Sequence, residues 1–365
     1  MDELILDILQ QLRDGSQGAL DTHQLEMLIN SHNSGIDSSA HSTEREKLIP
    51  KRAILPYFLQ VKQNNDELWQ SWNVTPELEE RFIRSVRMKP RRTASGVATI
   101  TVITRPHTCS SNCIYCPCDL RMPKSYLANE PACQRAELTF FDPYVQVAAR
   151  LQALHQMGHS TDKVELIVLG GTWSDYPESY QYWFIKELFR ALNEWPNSPN
   201  HIQERLNWYT SFGLQNSEEA LSSFVAEQQA AVFDDNTTYN QAFHKLYDTS
   251  QPHQSAWSQM QSTYDELVGQ QHINETAAAR VVGLVIETRP DTITPENLRM
   301  FRQLGCTKIQ IGIQSTRQEI LDANKRQMSA AQIKRAFSLI RLYGFKIHSH
   351  LMVNLLGATP EADKQ

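Results

Sequence analysis

No apolar run in this 365-residue chain approaches the roughly 18 to 20 residues that span a bilayer, which argues against a transmembrane helix. The opening MDELILDILQQLRDG has acids where a secretory signal would be positive, so it predicts an amphipathic helix and a cytosolic protein. No internal repeat is evident, which argues against a solenoid or propeller. A surplus of positive charge is missing too: 35 Lys and Arg against 41 Asp and Glu leave a net charge of −6. That excludes a uniformly basic nucleic-acid binder and leaves room for a local basic patch. Cysteine is scarce, at six residues, and a reducing compartment disfavours disulfides among them. What is present is 41% hydrophobic and 9% aromatic residues, enough to bury a core. The length suits one large α/β unit with an appendage.

Residues 1–92 carry helical periodicity, with Leu4, Ile5, Ile8 and Leu9 on one face and Leu48 to Phe58 opening another apolar stretch. Between these, SHNSGIDSSAHSTERE (31–46) is a polar connector expected to be mobile. The texture then changes. VATITVITRP from Val97, Val164–Leu169, Val281–Ile286, Lys308–Ile313 and Phe345–Val353 are β-rich runs that predict five strands. Helix-periodic segments separate them, two closing on a glycine suited to a C-terminal cap. Strands alternating with helices predict a parallel sheet, open or closed toward a (βα) barrel, over residues 93–365. A Gln-, Asn- and Ser-rich stretch at 195–279 reads as a helical insertion.

Four of the six cysteines fall between positions 109 and 118. In a reducing compartment such crowding points to a metal or a cluster. Cys109, Cys113 and Cys116 follow the first strand, in the loop leaving its C-terminal end, where (βα) assemblies build their sites. Three thiolates can hold three irons of a [4Fe-4S] cubane and leave the fourth iron open. The alternative is a structural zinc site with Cys118 as fourth ligand, for which Cys116-Pro117-Cys118 is poor geometry.

Further candidates sit at other strand ends. Gly170 and Gly171 would let backbone approach a ligand, although any strand-to-helix turn can use a glycine pair. Glu287 and Arg289 share a strand face, where charges must pair with each other or meet a ligand. Gln310, Gly312 and Gln314 share a face of the fourth strand, suited equally to orienting a polar ligand and to an internal hydrogen-bond network; His348 and His350 share a face of the fifth, where His350 suits a catalytic role as well as that of a satisfied core histidine. Arg84, Arg87, Lys89, Arg91 and Arg92 form a basic run, either a solvated face or a phosphate-binding patch.

The cysteine spacing, with Tyr115 before the last thiol, resembles the radical S-adenosylmethionine (SAM) superfamily. More specifically, KPRRTASGVA, the cysteine loop, SYLANEPACQRA, FDPYVQ, GHSTDKVELIVLGGTW, IETRPD, LGCTKIQIGIQS and FKIHSHLMVNLLGATPEAD resemble, in order, the catalytic subunit of Elongator and its single-chain homologues. The resemblance implies a partial six-stranded (βα) radical SAM barrel with parallel strands, a helical N-terminal region and a helical insertion. It implies an enzyme that carboxymethylates the tRNA wobble uridine at position 5, using a [4Fe-4S] cluster, SAM and acetyl-CoA. It assigns Cys109, Cys113 and Cys116 to the cluster, and Tyr115, Gly170, Gly171, Thr172, Glu287, Arg289 and Gln314 to SAM. Lys163 in DKVE falls to the acetyl-CoA thioester as a catalytic residue, and Arg87, Lys89, Arg91 and Arg92 fall to tRNA.

The chain departs from the family pattern in its compact first cysteine gap, in Cys-Pro-Cys-Asp after the second, in Thr172 where the family has an acid, and in Asn324-Lys325-Arg326-Gln327 where it has Asn-Arg-Gly-His. It also stops before the family's sixth strand and acetyltransferase-like domain. The expected partner, besides tRNA, is therefore a separate acetyltransferase-containing chain or a second copy. Two alternatives remain: a non-catalytic tRNA-binding module with a structural metal, and a radical SAM enzyme acting on another substrate.

Overall fold

The computed structural model describes residues 1–15, 18–34 and 48–364. Most of the connector read at 31–46, and its expected mobility, lies outside the described residues; its first three residues close the helix Thr22–Asn33. The chain forms two compact units.

The first unit comprises Met1–Ala98 and Leu151–Thr161. Leu4, Ile5, Ile8 and Leu9 recur at helical spacing, and the helix Asp2–Asp14 buries all four. Asp21 caps the next helix: its carboxylate accepts from Gln24 N at 2.8 Å, and Gln24 Oε1 accepts from Asp21 N at 2.9 Å. The core gathers around Phe58 of the helix Lys51–Asn64, whose ring stacks on Phe82 and Trp72 at 4.1 and 5.9 Å between centroids. Lys89 then takes a left-handed φ of 51° and opens the short helical turn Pro90–Thr93. Lys89, Arg91 and Arg92 are exposed there.

The second unit comprises Thr99–Arg150 and Asp162–Gln365. Its five strands are β1 (Ala98–Ile103), β2 (Lys163–Leu169), β3 (Arg280–Thr288), β4 (Lys308–Gln314) and β5 (Lys346–Leu351). They lie in the order β1-β2-β3-β4-β5, and β2 with β3, β3 with β4 and β4 with β5 pair in parallel. Sequential order without reversal is the order of a barrel wall; a doubly wound sheet reverses at its switch point. All five predicted strands are present, the last ending at Leu351 rather than Val353 because the backbone turns at Asn354, with φ 60°.

In β2, Val164, Leu166 and Val168 are buried while Glu165, Ile167 and Leu169 are half-buried, which gives the sheet one dry face and one wetter face. On the wetter face Lys308 of β4 reaches Glu165 of β2 at 2.7 Å. Gly283 of β3 lies between them, where a Cβ would press to 3.2 Å from Glu165.

The stretch 195–279 carries the helices Ile202–Ser211, Glu218–Phe233, Tyr239–Phe243, Gln251–Trp257 and Tyr264–Asn274. A buried ion-pair network holds its start: Asp142 accepts from Arg205 Nη2 and Tyr209 OH, both at 2.8 Å, while Arg205 Nη1 lies 2.8 Å from Glu187. Among the described residues no helix is long and apolar enough to cross a membrane.

Candidate active site at the strand ends

The turns leaving β1 and β2 are locked together. Gly170 has φ 139°, and a Cβ there would fall 1.7 Å from Thr104 Oγ1, so only glycine fits. Thr104 Oγ1 donates to Gly170 O at 3.2 Å, and Tyr176 OH donates to Arg105 O at 2.7 Å. Gly171 follows with φ 83°, bringing the chain over Lys124.

Amides and a carboxylate from distant segments hold the cysteine loop. Asn240, in the insertion, accepts from Cys109 N at 3.1 Å and donates to Cys109 O at 2.8 Å. Gln229 does the same for the loop's far end, accepting from Leu120 N at 2.8 Å and donating to Cys118 O at 2.9 Å. Asp175, just after β2, accepts from Ser110 N at 2.9 Å.

These restraints bring Cys109, Cys113 and Cys116 onto one cleft of about 470 Å³, counting the solvent-open space at its mouth. Gly171 and Thr172 line it after β2, Glu287 and Arg289 at the end of β3, and Gln314 at the end of β4. With Gly312, also on β4, nine of the residues singled out in the sequence share one cavity. Ser111, Ser125, Thr288 and Arg326 join them without having been singled out as site residues. Arg326 did fall within a segment flagged for departing from the family pattern, and Ser111 lies between two of the cysteines.

The thiols sit among donors. Ser111 Oγ lies 3.1 Å from Cys113 Sγ, Ser125 Oγ 3.2 Å from Cys116 Sγ, and Thr172 Oγ1 3.7 Å from Cys109 Sγ. A hydrogen bond shared with Cys116 draws the Cys113 thiol down to about 4; burial opposes it, and Ser111, Arg326 and Tyr115 assist. The same bond, with burial, pushes the Cys116 thiol up. Burial raises the Glu287 carboxyl, against a hydrogen bond from Tyr126. Arg289 Nη1, Gln314 Oε1 and Arg326 Nε are buried without partners, as expected of groups that await a polar ligand.

Other expected site residues lie elsewhere. Tyr115 and Gly170 do not line the cleft; the Tyr115 hydroxyl is buried without a partner. Lys163 is exposed at the first residue of β2, the opposite end of that strand from the glycine turn. Arg87, Lys89, Arg91 and Arg92 belong to the first unit. Cys118 lines a separate groove with Leu127 and Phe233. His350 approaches Glu287 at 3.8 Å, and His348 contacts Gln310 at 3.3 Å.

Among the described residues no three His, Cys, Asp or Glu side chains converge on a single ion. A zinc site would draw its thiolates to about 2.3 Å from one metal. A cubane instead takes each thiolate on a different iron, and three cysteines that share a cleft without converging on one point fit that donor set better.

Residues 258–364 match the radical SAM superfamily, a stretch that begins after the cysteine loop. Over 297 residues the chain is 33% identical to a tRNA uridine(34) acetyltransferase of Methanocaldococcus infernus, covering 80% of this chain and 43% of that protein. It is 27% identical over 301 residues to Elongator complex protein 3 of Bos taurus, again covering 80% of this chain and 43% of the relative. The chain thus spans less than half the length of these curated relatives. A solved structure of Methanocaldococcus infernus Elp3 lacking residues 1–46 aligns with 74% of this chain and 41% of that one, at 28% identity and a TM-score of 0.45.

Proposed function

Because the chain belongs to the radical SAM superfamily and is a homologue of the tRNA uridine(34) acetyltransferases, we propose that it is the SAM-cleaving part of an enzyme that carboxymethylates position 5 of the tRNA wobble uridine. One observation carries the reading: Cys109, Cys113 and Cys116 share a cleft with polar groups from the ends of β2, β3 and β4.

Membership of the superfamily implies a [4Fe-4S] cluster and SAM. Cys109, Cys113 and Cys116 would hold the cluster, which when bound supplies an electron to the sulfonium of SAM. The remaining work belongs to the chain itself. Gly171 lacks a side chain and frees its backbone for close approach. Thr172 offers a hydroxyl beside Cys109. The unpartnered Arg289 Nη1 suits a carboxylate, and Glu287 and Gln314 supply acceptors for amino or hydroxyl groups.

Acetyl-CoA as co-substrate, with Lys163 at its thioester, rests on the DKVE motif. Lys163 starts a seven-residue strand, so about 20 Å of strand separates it from the cleft. tRNA binding rests on the run Arg87, Lys89, Arg91 and Arg92, of which the last three are exposed on the helical turn.

Anaerobic reconstitution with iron and sulfide tests the reading. The expected product is a brown protein with about four irons that cleaves SAM when reduced. Stoichiometric zinc uptake with no SAM cleavage rejects it in favour of a structural metal site.

A further inference from the structure

Two buried cations flank the thiol cleft, and neither forms an ion pair with a carboxylate among the described residues. Lys124 is 4% exposed. Its Nζ donates to Ser111 O at 3.1 Å and to Asn112 Oδ1 at 3.3 Å, which puts the ammonium against the backbone between Cys109 and Cys113. Its chain neighbour Ser125 reaches Cys116 Sγ. Arg326 is 5% exposed; its Nη1 donates to Cys113 Sγ at 3.5 Å and its Nη2 to Gly312 O, while Nε has no partner. The third cation at the cleft, Arg289, is different because Asp291 lies 2.5 Å from it.

Burying a cation is costly unless an anion compensates it. The geometry aims both at the cysteine loop: Lys124 at the backbone between Cys109 and Cys113, and Arg326 at Cys113 Sγ itself, so a cluster held there is the anion that would compensate them. We propose that Lys124 and Arg326 are positioning residues that raise the reduction potential of the cluster on Cys109, Cys113 and Cys116, an inference that rests on the function proposed above. A cubane with three thiolates carries net negative charge, and that charge grows by one electron when a low-potential one-electron donor reduces it. Fixed positive charge in a poorly screened site favours the more negative form. The two side chains also offer hydrogen bonds to the loop backbone, so charge must be separated from tethering.

The test uses the full chain, reconstituted with iron and sulfide and titrated with dithionite in the presence of redox dyes, following the EPR signal of the reduced cluster. Lys124→Met and Arg326→Gln are each expected to shift the balance toward the oxidised form about tenfold, equivalent to about 59 mV for one electron. Lys124→Arg and Arg326→Lys, which keep the charge, are expected to titrate like the wild type. Loaded variants with unchanged potentials overturn the proposal. So do charge-keeping variants that shift as far as the charge-removing ones, because they mark a packing role. Should Lys124→Met fail to load, Lys124→Gln keeps a donor for Ser111 O and gives the same comparison. A wild-type chain that takes up no four-iron cluster overturns the proposed function and this inference with it, and that result is in hand before any variant is measured.

Discussion

Tyr126 donates its hydroxyl to Glu287 Oε2 at 2.5 Å, tying the segment after the cysteine loop to the end of β3. The carboxyl is already raised by burial, and Tyr126 is the group that holds it down. Tyr126→Phe is expected to cost about 1–3 kcal/mol, because a buried acceptor loses its donor. Urea denaturation of the variant and wild type at neutral pH measures the difference; equal midpoints would show that water replaces the phenol.

The two turn glycines are not equivalent. At Gly170 an added methyl would overlap the Thr104 side chain, whereas at Gly171 it would sit 3.1 Å from Lys124 O. Both also have positive φ. Gly170→Ala is expected to lose at least about 3 kcal/mol, or to fail to accumulate as folded protein, while Gly171→Ala loses about 1–2 kcal/mol. Thermal melts of the two variants should rank them in that order.

Arg205 holds the start of the insertion to Asp142 and Glu187. Arg205→Met leaves the Asp142 carboxylate buried without its cation, and loss of one member of such a pair costs about 3–5 kcal/mol. Limited proteolysis should then cut within 195–279 sooner than in the wild type. Asp142→Asn in the same background should recover part of the loss.

His253 supplies a pH dependence. Burial, and then the nearby Arg105, hold it at about 4, below its ordinary 6.5. The unfolded chain therefore binds this proton first, so stability is full above about 6.5 and falls as pH drops toward 4. The imidazole is partly accessible, so the loss from this group is about 2 kcal/mol. His253→Phe keeps the aromatic contacts with Phe224, Tyr247 and Trp257. It should flatten the stability profile between pH 6.5 and pH 4, as measured by denaturant titration.

The basic turn is testable without touching the cleft. Lys89, Arg91 and Arg92 are exposed, so a triple change to Glu should leave the melting temperature nearly unchanged. Binding to tRNA should weaken, and the slope of log affinity against log salt should fall by about 0.7–0.9 for each phosphate the segment no longer neutralises. An unchanged slope would remove this segment from the nucleic-acid surface.

Much of the fold was legible because strand residues in α/β proteins are selected for β-branching and burial: VELIVL and KIQIGI announce themselves, and both form strands. The shared cleft was legible in outline because residues just past parallel strands converge on one end of the sheet, which is how Cys109, Thr172, Glu287 and Gln314 come together. The braces were not. Asn240 and Gln229 lie in a stretch so rich in amides that no single one stands out, and their contacts with the cysteine loop depend on tertiary placement. Arg326 reaches Cys113 across 213 positions of chain, and no local pattern encodes that approach. Lys163 shows the opposite limit: a motif can suggest a role, but only three-dimensional placement puts the residue at the far end of its strand from the glycine turn.

The clasp between Cys109 and Asn240 spans 131 residues. During synthesis the thiols leave the ribosome well before the amide that fastens them, so for several seconds at ordinary elongation rates they meet the cell as an untethered, oxidisable cluster of sulfurs. Iron delivery that waits for the insertion to dock would find a prepared cradle, and delivery that does not would compete with misoxidation.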